Sequence, residues 1–324
     1  MEPSRKVNWG VLSTAAIGIN RVIPAIRESS NGQVVAISSR NPSKSREVAG
    51  SLGIPQSYGS YEEMLDSQDI DAVYIPLPNS MHRDFTILAA EKGKHVLCEK
   101  PLALNSRECL EMISACESNH VLLMEAFMYR FHPQIIKLKE ILDAGKIGRI
   151  ATIRTAFRIP MSDLNDIRYQ KELGGGALYD VGCYCVSISR LLAGDEPTCV
   201  QGLARFSDQK GIDEAFVGLM RFHGLESGLF DCAFRSSLLQ TIEVVGDLGT
   251  LELSDPFVAG DSPTILKHGV QPETFRIERA NSYRLMVEHF DQCILNDRKP
   301  LYPPMDGLRN MRVIDTLYAS AAEC

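Results

Sequence analysis

The chain has 324 residues, enough for about two domains, and 44% of them are hydrophobic, enough for a sizeable core. A net charge of −7 with no basic stripe argues against a nucleic-acid partner, while leaving room for a locally basic pocket. No stretch approaches the length of a membrane span, the opening Met1-Glu2-Pro3-Ser4-Arg5-Lys6 has no apolar signal core, and the nine cysteines are irregularly spaced with no accompanying His cluster; reduced thiols, a cytoplasmic location, no metal and no membrane partner are expected.

Val7 to Ser13 reads as a short buried strand, followed by a small-residue turn, Thr14-Ala15-Ala16-Ile17-Gly18, and a helical run from Ile19 to Arg27. A second strand, Val34 to Ser39, precedes a helix from Ser43 to Gly53 and a short helix from Tyr61 to Ser67. A third strand, Ala72 to Ile75, leads to a helix over His82–Lys92 and a fourth strand, His95–Glu99. Strands and helices alternating at this pitch predict a parallel, doubly wound sheet.

After about Met124 the texture changes. Six β-like segments follow, Arg149–Ile159, Cys199–Phe206, Phe216–Phe222, Gly228–Phe234, Thr241–Gly246 and Thr250–Ser254, with turns such as His223-Gly224-Leu225 between them. One helix, Ala177–Leu192, lies among them, and Met305–Ala322 is helical again. The expected fold class is α/β: a Rossmann dinucleotide-binding domain over residues 1–123, then an α+β domain over 124–324 built on a large, mainly antiparallel open sheet. The 305–322 helix is a candidate to pack back on the first domain.

A nucleotide-binding strand–turn–helix needs small residues where the backbone approaches a pyrophosphate, and free N–H groups at the helix start. The six residues matching G-x-G-x-x-G are Ser13-Thr14-Ala15-Ala16-Ile17-Gly18, of which only the last is glycine. At the end of the second strand an acidic residue would hold the ribose hydroxyls of NAD. Ser39, Arg40 and Lys44 stand there instead, a set suited to a 2′-phosphate, so NADP is the expected cofactor.

Glu99-Lys100-Pro101 directly follows the fourth strand, where open α/β sheets bind ligands. A second cluster runs Gly174-Gly175-Gly176-Ala177-Leu178-Tyr179-Asp180-Val181-Gly182-Cys183-Tyr184. Asp180 and Tyr184 are four apart and share a helix face. Gly182 inside that helix costs about 1 kcal/mol relative to Ala, which implies a close approach to its backbone. A ketone–alcohol hydride transfer needs a proton donor or acceptor at the oxygen. Tyr184 can fill that role if Lys100 favours its phenolate, with Asp180 orienting the substrate. A solvated basic loop at 39–44 and a buried core Tyr184 are the bland alternatives.

The ordered set resembles the glucose–fructose oxidoreductase and inositol dehydrogenase family. The residues carrying the resemblance are Tyr74-Ile75-Pro76-Leu77-Pro78-Asn79-Ser80-Met81-His82, Glu99-Lys100-Pro101, Glu125-Ala126-Phe127-Met128-Tyr129-Arg130-Phe131-His132-Pro133, Gly174 to Tyr184, and Asn310-Met311-Arg312-Val313-Ile314-Asp315. The resemblance implies a Rossmann domain with a sheet-rich partner domain, a homodimer or homotetramer assembled through that sheet, and Lys100 as the catalytic lysine. It implies cofactor contacts from Ser13, Thr14, Ala15, Ala16, Ile17, Ser39, Arg40, Lys44, Leu77, Pro78, Asn79, His82, Glu99 and Lys100. It also implies substrate contacts from Lys100, Arg168, Asp180 and Tyr184. Tyr184, where inositol dehydrogenases have His, is similar to the branch of dihydrodiol dehydrogenases and ketosugar reductases. The expected substrate is therefore a sugar, a sugar derivative or a dihydrodiol. A cofactor-sensing or binding protein on the same fold, without turnover, is the competing expectation; it would have no need to keep both Lys100 and Tyr184.

Overall fold

The computed structural model describes residues 5–224, 227–260 and 263–322. Met1–Ser4 and Leu225, which ends the turn expected after Phe222, lie outside the described residues. Contacts divide the chain into two compact units, one of Met1–Met128 with Asn281–Leu308, the other of Tyr129–Ala280 with Arg309–Cys324.

The first unit carries a six-stranded parallel sheet: β1 (Val7–Leu12), β2 (Gly32–Ser38), β3 (Gln56–Tyr58), β4 (Ala72–Ile75), β5 (His95–Cys98) and β6 (Leu123–Glu125). Their order is β3-β2-β1-β4-β5-β6, so the winding reverses between β1 and β4. Helices α1 (Ile23–Glu28), α2 (Pro42–Leu52), α3 (Tyr61–Leu65), α4 (His82–Glu91) and α5 (Ser106–Ser118) connect the strands. The central strands β1, β4 and β5 are largely buried, mostly apolar runs without polar alternation, as a sheet covered on both faces requires. β3 and β6, of three residues each, are too short to show a pattern in the chain.

Helix α8 (Ser282–Leu295) belongs to this unit, although nothing in its sequence separates it from the neighbouring second domain. Its apolar face buries Met286, Val287 and Phe290. Phe290 meets Trp9 with ring centroids 5.9 Å apart, and the Trp9 indole N–H donates to Asp291 at 2.8 Å. A buried indole needs such an acceptor. The boundary expected at residue 123 therefore falls after Met128, and residues 281–308 return to the first unit.

The second unit is an eight-stranded sheet: β7 (Ile150–Arg158), β8 (Cys199–Phe206), β9 (Asp213–Arg221), β10 (Ser227–Ala233), β11 (Leu239–Gly246), β12 (Thr250–Ser254), β13 (Thr264–His268) and β14 (Glu273–Arg276). The order is β14-β13-β12-β11-β7-β10-β9-β8, antiparallel throughout except between β7 and β10. It is the expected large, mainly antiparallel sheet. The unit also holds α6 (Pro133–Asp143), α7 (Cys183–Ala193) and most of α9 (Pro304–Ala321). The tail helix expected over 305–322 is α9; its first turn belongs to the first unit and Arg309 onward to the second. α7 packs on β7 and β10, and all its residues except Leu191 and Ala193 are buried. The opposite sheet face exposes Leu203, Val217 and Leu219. No described helix is long and apolar enough to cross a membrane.

Candidate active site

In the first unit the site begins at the turn after β1. Ser13, at the first glycine position of the fingerprint, has φ 108°, a backbone conformation glycine adopts freely and L side chains rarely do. Its hydroxyl helps to hold that turn, donating to the Pro76 carbonyl at 3.3 Å and accepting from the Ala15 N–H at 3.2 Å. Pro76 follows β4, so the first of these bonds spans the point where the sheet reverses. A π-helical turn, Gly18–Val22, then opens α1. Gly18 faces Val11, Tyr74 and Pro76, where an added Cβ would reach only ordinary contact distance, so packing of helix on sheet leaves room for a methyl group here.

Past β2, Ser39 is buried and Arg40 and Lys44 are exposed. The Asn41 side chain accepts from the Ser43 and Lys44 N–H groups at 3.0 and 3.3 Å, capping α2. With these donors engaged, an anion here would meet side-chain cations and hydroxyls. No carboxylate stands among residues 38–45.

At the end of β5, Glu99 accepts from the Tyr74 hydroxyl at 2.6 Å and, through its other oxygen, from the Lys100 N–H at 3.2 Å. The Lys100–Pro101 peptide is cis. His82 is wholly buried, with ring nitrogens 2.9 Å from the carbonyls of Leu77 and Pro101. Burial lowers its pKa, so a neutral ring joins the two turns. His82, expected as a cofactor contact, has both ring nitrogens engaged by backbone carbonyls and so clips these two turns together. Leu77 is buried, while Pro78 and Asn79 are partly accessible.

In the second unit the glycine run is explained by what it touches. Gly175 lies so close to the Arg168 carbonyl that an added Cβ would come within 2.5 Å of it. Gly176 has φ 135°, and its Cβ would fall 2.2 Å from Asp213 Oδ1. The turn Ile167–Tyr169 is thereby pressed against the start of the helix, and Arg168 Nε meets Asp180 Oδ2 at 3.0 Å. Arg168 also contacts Asp166 at 3.3 Å, and Asp180, then Asp166, holds the guanidinium more firmly protonated. The structure thus brings together Arg168 and Asp180, two of the expected substrate residues.

The expected helix over 177–192 opens as a π-helical turn, Leu178–Gly182, before α7. Such turns are rare and often mark functional positions. The close approach inferred at Gly182 comes from within the protein: a Cβ there would lie 2.8 Å from Cys232 Sγ on β10. Tyr184, 7% exposed, is held by Tyr129, Phe157 and Phe257 at centroid distances of 5.5, 5.4 and 5.3 Å. The Tyr129 hydroxyl is 2.5 Å from Ser187 Oγ, to which Arg130 donates at 2.6 Å.

Two contributors have no signature in the chain. Buried Asp213 accepts from the Leu178 N–H and the Tyr318 hydroxyl, each at 2.7 Å. Tyr74 had only a general signal: a tyrosine within a wholly buried strand needs a partner for its hydroxyl.

Comparison with known proteins agrees with this architecture. The family model GFO_IDH_MocA, described as an oxidoreductase family with an NAD-binding Rossmann fold, matches residues 7–127, and the GFO/IDH/MocA C-terminal domain matches residues 135–252. The chain is 37% identical to D-xylose 1-dehydrogenase (NADP(+)) 2 of Haloferax volcanii and 32% identical to trans-1,2-dihydrobenzene-1,2-diol dehydrogenase of Xenopus laevis, in each case over 97% of both chains. Among solved structures, a tyrosine-to-phenylalanine mutant of KijD10, a 3-ketoreductase from Actinomadura kijaniata in complex with TDP-benzene and NADP, superposes with a TM-score of 0.93 at 27% identity, covering 98% of both chains.

Proposed function

The chain belongs to the GFO/IDH/MocA oxidoreductase family, and on that premise we propose that it is an NADP(H)-dependent oxidoreductase acting on a hydroxyl or keto carbon of a sugar, a sugar derivative or a dihydrodiol. The observation that carries the cofactor choice is the end of β2, where buried Ser39 and exposed Arg40 and Lys44 stand without a carboxylate. A 2′-phosphate suits this set, since its charge-assisted bonds are stronger than neutral ones. The turn at Ser13 fits a pyrophosphate: its backbone already has the glycine-like conformation. NADP, when bound, supplies hydride acceptance or donation at its nicotinamide ring.

The chain's own residues handle the proton and the substrate's hydroxyls. Tyr184 is the proton donor in the reductive direction, its ring fixed by three aromatic neighbours so that little rotamer freedom is lost on reaction. Lys100 holds the reacting oxygen and favours the phenolate of Tyr184. Asp180 and Arg168, already paired, present an acceptor and a donor to neighbouring substrate hydroxyls. A cofactor sensor would have no use for this set.

D-xylose and a trans-dihydrodiol, the substrates named for two relatives, are the first candidates here, followed by a nucleotide-linked ketosugar. A screen of aldoses, dihydrodiols and ketosugars with NADP+ or NADPH, following nicotinamide absorbance, tests the activity. Turnover of at least one class, with kcat reduced roughly 10²–10⁴-fold in Tyr184→Phe, is expected. NADPH binding with no turnover across the screen would favour the sensor. A cytoplasmic homodimer or homotetramer, joined through the open face of the eight-stranded sheet, completes the proposal.

A further inference from the structure

We propose that Asn310 and Tyr318 of α9 are positioning residues that grip the two ends of the π-helical turn carrying Asp180 and so set Asp180 and Tyr184 for reaction; this rests on the site reading above. This π-helical turn begins the helix, where N–H groups lack intrahelical partners, and runs without a break into α7, so bonds from outside fix where it sits. This turn has no side-chain cap of its own, since Ala177 occupies the capping position.

The start of the turn is held through β9. Asp213 Oδ2 accepts the Leu178 N–H, and Oδ1 accepts the hydroxyl of Tyr318, both at 2.7 Å. Gly176 leaves the space for that carboxylate, and Tyr179, within the turn, packs its ring 5.1 Å from that of Tyr318. At the far end, the Asn310 side-chain amide donates to the Cys183 carbonyl at 3.2 Å. Asn310 is wholly buried and is itself oriented, because its Oδ1 accepts from Arg190 Nη1 at 3.2 Å. Arg190 is fixed in turn by paired 2.8 Å bonds to Glu196. Asn310 and Tyr318 are eight residues apart, close to two turns of α9, so one face of one helix reaches both ends of the reactive turn. Asn310 opened the tail segment that carried the family resemblance, yet no step of the reaction above uses it.

Two variants break these bonds, Tyr318→Phe by deletion and Asn310→Asp by setting a carboxylate oxygen against the Cys183 carbonyl, so the folded fraction is measured beside kcat. Tyr318→Phe keeps the ring against Tyr179 and Phe216 and loses only the hydroxyl. Asn310→Asp keeps an acceptor for Arg190 and loses the donor to Cys183. In both, kcat is expected to fall roughly 10- to 10²-fold, the loss typical of a sub-ångström to 1 Å misplacement. The KM for NADPH should stay within about twofold, since the cofactor residues are elsewhere. In a Tyr184→Phe background each variant should lower kcat by a smaller factor than in the parent, because part of its effect passes through Tyr184 and the rest through Asp180. Hydrogen exchange of the amides of 178–183 should quicken, with the remainder of α7 unchanged.

Normal kcat in both variants beside a crippled Tyr184→Phe would overturn the positioning role and leave the site reading intact. Losses that multiply with that of Tyr184→Phe, or that match a reduced folded fraction, would overturn it as general destabilisation. Normal turnover in Tyr184→Phe itself would overturn the site reading and the positioning role together.

Discussion

At the level of single residues, cofactor choice was the most legible feature of the chain, because it depends on residue type at one strand end. Arg40 is exposed and unencumbered by a capping role, since Asn41 caps α2. A charge-assisted bond to a phosphate is worth about 1.5–3 kcal/mol, so Arg40→Ala should weaken NADP(H) roughly 10- to 10²-fold. NAD(H), which lacks the 2′-phosphate, should lose at most a fewfold. A titration of both cofactors against both proteins checks this, and equal losses would remove Arg40 from the phosphate site. Ser13 shows the other side of legibility. As a residue it breaks the glycine fingerprint, yet its φ of 108° preserves the backbone that the fingerprint encodes. A sequence pattern records which residue is easiest in a conformation, and a hydroxyl with two hydrogen bonds can offset the strain of a harder one. The surroundings of His82 were not legible for a related reason. A histidine near a ligand and a histidine that ties two loops look alike until both ring nitrogens are accounted for.

At the level of elements, the strands and helices with strong apolar runs were readable, and β8, β12 and β4 begin and end where the pattern does. The π-helical turns at 18–22 and 178–182 were not, because the side-chain period that signals a helix scarcely changes over five residues. Gly182 did announce that something was close, and the structure identifies it as the Cys232 thiol and the Leu178 side chain, each 2.8 Å from a Cβ at that position. Gly182→Ala should therefore overpack the contact between this turn and β10. Such insertions cost about 1–3 kcal/mol, and kcat should fall along with stability because the turn carries Asp180. Combining it with Cys232→Ala, which removes the thiol, should recover part of the loss; thermal unfolding and kcat of both variants measure it. A Gly182→Ala protein as stable and active as the parent would show that the turn shifts freely, against its reading as a fixed platform.

For the whole molecule, two features of the second unit lead to measurable behaviour. Leu219 is exposed between Gln201 on β8 and Leu229 on β10, and Val217 pairs with Leu203, an apolar strip on an open sheet face. Apolar strips of this kind are commonly buried by a second copy. Leu219→Lys should shift a dimer or tetramer toward monomer in light scattering at micromolar concentration; a parent protein already monomeric there would refute the assembly. The other feature is the carboxylate of Asp213, which is 1% exposed and has its pKa pushed by burial up to about 7, against the lowering effect of the bonds from Tyr318 and Leu178. An acid whose pKa is raised by folding binds more protons in the native state than in the unfolded one. Its contribution to stability is therefore greatest below the unfolded carboxylate pKa near 4 and declines as pH rises through about 7. Asp291, raised by burial to about 6 against the lowering bonds from Trp9 and Ser29, acts in the same sense. Four histidines oppose it: buried His82 and His132 and half-buried His95 and His289 have pKa values lowered by desolvation, so what they contribute is lost as pH falls below the ordinary histidine range. The parent's stability profile mixes the two signs, and a comparison of variants separates them. Asp213→Asn keeps a carbonyl for the Leu178 N–H and abolishes the titration. Its melting temperature relative to the parent should rise from pH 5 to about pH 7 and then level off, because only the parent must hold a buried charge at the upper end. A difference that stays constant across that range, or shrinks, would mean that Asp213 is ionised throughout, with the carboxylate itself serving as the acceptor that holds the start of the reactive turn.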